Sequence, residues 1–344
     1  MSDAIIRDRS PEAAAVPAAA TAATQGFRIF AWFIVGATGA FVLNNYLSFW
    51  RDWPGADALF VGSDDLLLGV LQLGFYALAL AAAVLYVSRR PETPLRTDAR
   101  AMSRMVTFLI RFAFFAVLFV GLADATVSFL RVEEMLADYV GEDVAQAWNF
   151  NAGRAPQLHL GAIGVALVFA LLTRTLGFQW LTVLVVLAEL AIVITRFVFS
   201  YEQAFQGDLV RFWYGALFLF ASAYTLLDDG HVRVDVVYAA LSSRTQGWLN
   251  AFGCLVMGIL FCWVILYFGM ATQSSVINAP LQSLEITQAG FGMYVKYLMA
   301  GFLGVFAVSM MIQFCSYLLD SVADYRGDPE GRPHHVHGDN VQEV

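Results

Sequence analysis

The 344-residue chain is 59% hydrophobic and 14% charged, with a mean hydropathy of +0.64. Globular domains carry about 25% charged residues, so the composition excludes a disordered chain, a coiled coil and a secreted disulfide scaffold, and implies a chain that crosses a membrane several times. The net charge is −8 and Lys296 is the one lysine among 20 basic residues, which leaves no basic stripe to follow a nucleic-acid backbone.

Residues 1–26 are Ala-rich, hold Pro11 and Pro17, and read as a disordered cytoplasmic tail. A membrane span needs about 20 apolar residues at 1.5 Å rise each. Eight stretches meet that test: 27–50, 66–87, 104–130, 157–174, 177–200, 209–227, 246–270 and 289–317. The first exceeds a signal-peptide core of about 7–15 residues and reads as a retained span. The run 157–200 would be about 66 Å long as one helix, roughly twice the hydrocarbon thickness, so a turn is expected at Thr173–Gly177. After the sixth span, 232–241 mixes apolar residues with charges. It reads as an interfacial amphipathic helix or as a frayed extension of that span. The fold class expected is an all-α membrane protein with about eight transmembrane helices.

Arginines orient the spans. With the N-terminus in the cytoplasm, 13 arginines fall in inside segments and 5 outside (Arg51, Arg131, Arg154, Arg196 and Arg211). Both termini are therefore expected in the cytoplasm. The acidic loop 131–156 and the Ser/Thr/Gln-rich loop 271–288 are expected outside.

Polar residues within apolar runs carry the functional hypotheses. Glu189 lies near the middle of the fifth span, where a carboxyl costs about 2.5 to 3.5 kcal/mol. Two readings stand: a proton relay, or a helix–helix contact made by pairing or hydrogen bonding. Arg196 follows about two turns later, too far for a direct pair. Asp124, Arg111 and Lys296 lie towards span ends, where each can reach the interface by snorkelling. Cys254, Cys262 and Cys315 sit in apolar runs and read as buried thiols.

Chemistry in the chain is expected to be absent. Bis-His haem needs two imidazoles across one cofactor, but His159 and His231 fall on opposite membrane sides and His334, His335 and His337 lie in the tail. No G-x-x-x-x-G-K-[ST], H-E-x-x-H or G-x-S-x-G motif occurs. No enzyme activity, cofactor or metal is expected. A self-contained transporter usually has repeats and broken spans; here no repeat is evident and the spans hold almost no proline. A scaffold fits better, with a stand-alone carrier that couples protons through Glu189 as the alternative.

Gly230-His231-Val232-Arg233-Val234-Asp235, directly after a span, has the G-H-[IV]-x-[VI]-D pattern of one family. Arg196-Phe197-Val198-Phe199 is similar to that family's Arg-aromatic close of its first span. Gln206–Arg211 stands where the family has a short acidic stretch, often with Trp and paired glutamates that this chain lacks. Leu284-Glu285-Ile286 precedes a similar aromatic entry to the last span. Over roughly 177–320 the chain thus resembles the DctQ-type small permease subunit of the tripartite ATP-independent periplasmic (TRAP) transporters.

The resemblance implies a division into a tail 1–26, an N-terminal four-helix membrane extension 27–175, a DctQ-like four-helix domain 176–320 and a disordered tail 321–344. It implies a scaffold subunit in a bacterial inner membrane. Its partners would be a large permease subunit, a periplasmic substrate-binding protein and membrane lipids. Import of organic acids would be sodium-coupled, with the sodium ions on the large subunit. Glu189, Arg196, Arg211, Gly230, His231, Arg233 and Asp235 are the candidate structural and partner-contact residues, with Asp235 capping or pairing locally with Arg233 or His231. Arg196 and Arg211 would meet binding-protein acids or lipid phosphates, or act as interface anchors.

Overall fold

The computed structural model describes residues 21–56, 58, 65–174, 178–227, 238, 240–286 and 292–328. Eight helices among them are long and apolar enough to cross a membrane, as expected, and no strand occurs among the described residues. They are α1 (Ala22–Trp50), α2 (Leu66–Ser88), α3 (Leu95–Val132), α4 (Asn151–Leu172), α5 (Phe178–Phe199), α6 (Ala204–Leu227), α7 (Ser243–Met270) and α8 (Lys296–Arg326). This is a multi-pass membrane protein. The end of the bundle where α1 and α3 begin and α8 stops is called proximal below, and the opposite end distal.

Several helices overrun the spans read from hydropathy. α3 begins at Leu95 rather than 104, and α8 runs from Lys296 to Arg326 rather than 289–317. A hydropathy window stops at charges, but a helix continues where charges are paired. At the proximal end Arg96 Nη2 lies 2.8 Å from Asp324 Oδ1, and Arg28 Nε lies 2.6 Å from Asp98 Oδ2. α1 starts at Ala22, ahead of the expected Phe27, because Thr21 Oγ1 caps it by accepting from the Thr24 N–H at 3.3 Å. Gly327, at φ 74°, closes α8 in the left-handed conformation, and the Asp328 N–H donates back to the Ala323 carbonyl at 3.0 Å.

α3 and α8 form the central pair. Leu95, Ala99, Met102, Val106, Ile110, Ala113, Val117, Val120, Asp124 and Val127 recur three or four apart and are all buried, a seam of the kind that lets two helices run together. In a bilayer such seams are held by close van der Waals contact and interhelical hydrogen bonds more than by the hydrophobic effect. Ser316 Oγ accordingly donates to the Ala99 carbonyl at 2.8 Å and lies 2.8 Å from Ser103 Oγ. α4 and α6 pack on α3; α1, α6 and α7 pack on α8. At Gly247 of α7, a Cβ would stand 2.5 Å from the Tyr325 nitrogen and 2.8 Å from the Ser321 carbonyl oxygen, so only glycine allows this approach to α8.

α2 and α5 are the outlying helices. α2 is joined to α1 by Asn44 Nδ2 donating to the Gln72 carbonyl at 2.9 Å and by Gln72 Nε2 donating to Ser48 Oγ at 2.9 Å. α5 packs chiefly on α6, with Leu181 and Val185 facing the core. Between α4 and α5, Thr173 and Arg174 leave the helical path, as the expected turn requires. The surface helix expected over 232–241 lies almost wholly outside the described residues.

Candidate functional site

A buried polar centre lies at the distal end, between α3, α4 and the start of α8. Arg154 Nη1 lies 2.9 Å from Asp124 Oδ1, and both side chains are 0% exposed. The same guanidinium donates to Ser128 Oγ at 3.2 Å and, through Nε, to the Trp148 carbonyl at 2.9 Å. His159 Nε2 lies 3.2 Å from Asp124 Oδ1, and Nδ1 lies 2.9 Å from the Tyr297 hydroxyl. In an α-helix residues five apart point about 140° from each other. The wider π turn at Ala155–His159 reduces that angle and aims both Arg154 and His159 at Asp124. A buried charge is tolerable only when paired and hydrogen-bonded, and Asp124 has all of these partners. The expectation that Asp124 reaches the interface by snorkelling is therefore corrected. Its partner lies within the protein, because the chain after α3 folds back and inserts Arg154 beneath it.

This centre also holds the entry to α8. The Tyr294 N–H donates to Asp124 Oδ2 at 2.7 Å, and the Met293 N–H donates to Asp208 Oδ2 at 3.1 Å. Two carboxylates thus engage the segment just ahead of α8, where the helix dipole favours negative charge. The Tyr294 ring lies between two guanidiniums, 4.1 Å from Arg154 and 4.8 Å from Arg131. Arg131 also donates to the Gly292 carbonyl at 3.2 Å. Outside the buried centre, Lys296 Nζ pairs with Glu285 Oε1 at 2.5 Å. The acidic loop 131–156 carries short helices at Leu136–Val140 and Glu142–Trp148, with Leu136 and Ala145 buried.

A half-buried cation, Arg111, serves the proximal side. Arg111 donates to the Thr173 and Arg174 carbonyls, each at 2.9 Å. These acceptors lie just past the end of α4, where a cation is favourable. Cys254, Cys262 and Cys315 are buried free thiols.

The structure does not gather the candidate residues into one site. Glu189 is exposed at the middle of α5 and makes no hydrogen bond or ion pair among the described residues. Arg196 is exposed near the distal end of the same helix and pairs with Glu202 at 3.3 Å. Arg211, its side chain 74% exposed, lies 3.3 Å from Asp208 on α6. Gly230, His231, Arg233 and Asp235 lie outside the described residues. In the loop between α5 and α6, the Tyr201 hydroxyl donates to Glu133 Oε1 at 2.8 Å; partial burial and that carboxylate push its pKa up to about 12.

Sequence reasoning treated Asp124, Arg154 and His159 separately and made no claim for Asp208. A signal was available: opposite charges at the facing ends of consecutive spans. Tyr294 carried none, since an aromatic at a span entry is ordinary.

Residues 182–321 match the family described as Tripartite ATP-independent periplasmic transporters, DctQ component. No curated protein and no solved structure matches the chain.

Proposed function

We propose that this chain, whose residues 182–321 match the family described as the DctQ component of TRAP transporters, is the fixed scaffold of a sodium-coupled, binding-protein-dependent importer of organic acids. It packs against the large permease subunit and helps dock the periplasmic binding protein in a bacterial inner membrane, with both chain termini in the cytoplasm. The family match is the observation that carries this reading. The packing supports it: helices of the matched segment share one core with α3, and Asp124 and Arg154 at the distal end are locked in a buried pair. Sodium ions are assigned to the large subunit. The exposed arginines Arg196 and Arg211 are assigned to contacts with acidic groups on the binding protein or with lipid phosphates.

The stand-alone carrier is the less favoured reading. It needs Glu189 to pass protons, yet Glu189 has no polar neighbour among the described residues to continue a relay. The test is uptake into proteoliposomes under a sodium gradient, with a panel of organic acids. Transport is expected only when this chain, the large subunit and the binding protein are all present. Uptake by this chain alone would overturn the proposal and make E189Q the next variant to measure.

A further inference from the structure

Glu189 stands eleven residues from Phe178 and ten from Phe199, at the midpoint of α5. At 1.5 Å per residue that is about 15 Å from either end, so its carboxyl faces the middle of the bilayer. It is exposed, as are Val186 and Val193, one turn to either side. The core-facing stripe of α5 is a different one, made of Leu181, Leu184, Val185, Ala188 and Ile192. Along the exposed flank Thr182, Glu189 and Arg196 recur seven residues apart. That period is the one at which a second helix running alongside meets the same face again and again.

We propose that this flank of α5 is the seat of a transmembrane helix of the large permease subunit, and that Glu189 accepts a hydrogen bond or ion pair from a donor side chain on that helix. The inference rests on the scaffold reading above and specifies its contact surface. The argument for an occupant is chemical. Acyl chains offer nothing to a carboxyl group at mid-bilayer, and intramembrane ionisable groups pair within protein or water-filled paths. No other part of this chain's described structure supplies the partner. A second protein helix with a cationic, amide or hydroxyl side chain at that depth satisfies the carboxyl, and the valines around it give the close apolar contact that membrane helices pair through.

The experiment uses the full chain, tagged and co-expressed with the large subunit and the binding protein. Benzoylphenylalanine replaces Val186 or Val193, which leaves Glu189 intact, and Leu78 on the outlying α2 is the control position. Photo-crosslinks from 186 and 193 to the large subunit, absent from 78, are expected. E189L is expected to lower co-purification of the large subunit roughly tenfold, whereas E189Q, which keeps an accepting oxygen, stays within about threefold of the parent. Leucine is compatible with a lipid-facing position, so E189L tests the contact and not the fold. If the large subunit does not co-purify with the parent chain, the scaffold reading and this inference fall together. If it does co-purify, crosslinks to lipid alone, crosslinks to a second copy of this chain, or undiminished association of E189L would overturn the inference and leave the scaffold reading standing.

Discussion

Arg154 and Asp124 meet at 2.9 Å with neither side chain exposed. Removing one member of such a pair leaves the other charge buried and uncompensated, which costs about 3–5 kcal/mol. R154M is expected to lower the apparent melting temperature of the detergent-purified protein sharply. The double variant R154M/D124L is expected to recover part of the loss, because no bare charge remains. A thermal-unfolding cycle on the parent, the two single variants and the double variant checks this, and equal losses for R154M and the double variant would refute it.

Ion pairs in this chain should not contribute alike. Arg28–Asp98 joins α1 to α3 with both side chains 0% exposed, whereas Lys296–Glu285 has side chains 44% and 42% exposed. Exposed pairs contribute about 0–1 kcal/mol and are screened by salt. R28M should therefore be as damaging as R154M. K296Q should change the melting temperature little, and less still at high salt.

Close approach of helix backbones gives a second stability test. G247L would drive a side chain into the backbone of α8 at Tyr325, while a Cβ at Gly304 meets nothing within 4 Å. Overpacking costs about 1–3 kcal/mol even where side chains can shift, and here the obstacle is backbone. G247L is expected to lose most of its membrane-extracted, monodisperse yield by size-exclusion chromatography, and G304L to keep it.

The orientation proposed from the arginines is open to chemical labelling. The native thiols are buried, so a membrane-impermeant maleimide should label the parent chain weakly. With the three cysteines replaced by alanine, Y139C is expected to label in intact cells, since Tyr139 is 68% exposed in the loop after α3. R174C, at the opposite end, should label only after the inner membrane is permeabilised. The reverse pattern would invert the topology.

The Tyr201 contact has a defined pH window. Its folded-state pKa is raised to about 12, above the usual value of about 10. The contribution of the Tyr201–Glu133 hydrogen bond is therefore fully present below about pH 10 and disappears as pH rises through 12. Tyrosinate absorbance should show one late-titrating tyrosine at a loop position, and Y201F should remove it.

The eight spans were legible because length and hydropathy report burial in lipid directly. Their ends were less so: Arg96 and Asp324 look like span terminators in isolation but, paired, lie in the first turn of α3 and the last turn of α8. Asp124 was legible as an anomaly but not in its role. The partner that neutralises it, Arg154, is thirty residues away, on the far side of a loop whose two short helices set the return angle. Glu189 was recognised as an unusual residue, but its exposure depends on which side of α5 meets α6, and hydropathy along so uniformly apolar a helix does not distinguish its sides.

The seam between α3 and α8 limits how the chain can be recombined. The Ser316 hydroxyl finds its acceptor on Ala99, and Met311, Cys315 and Leu319 lie in the same core as Met102, Val106 and Ile110. Replacing α8 with a foreign helix would set unmatched side chains opposite a surface shaped for Ser316. α3 and α8 are therefore exchangeable only as a matched pair, and a substitution along 99–110 calls for its counterpart along 311–319.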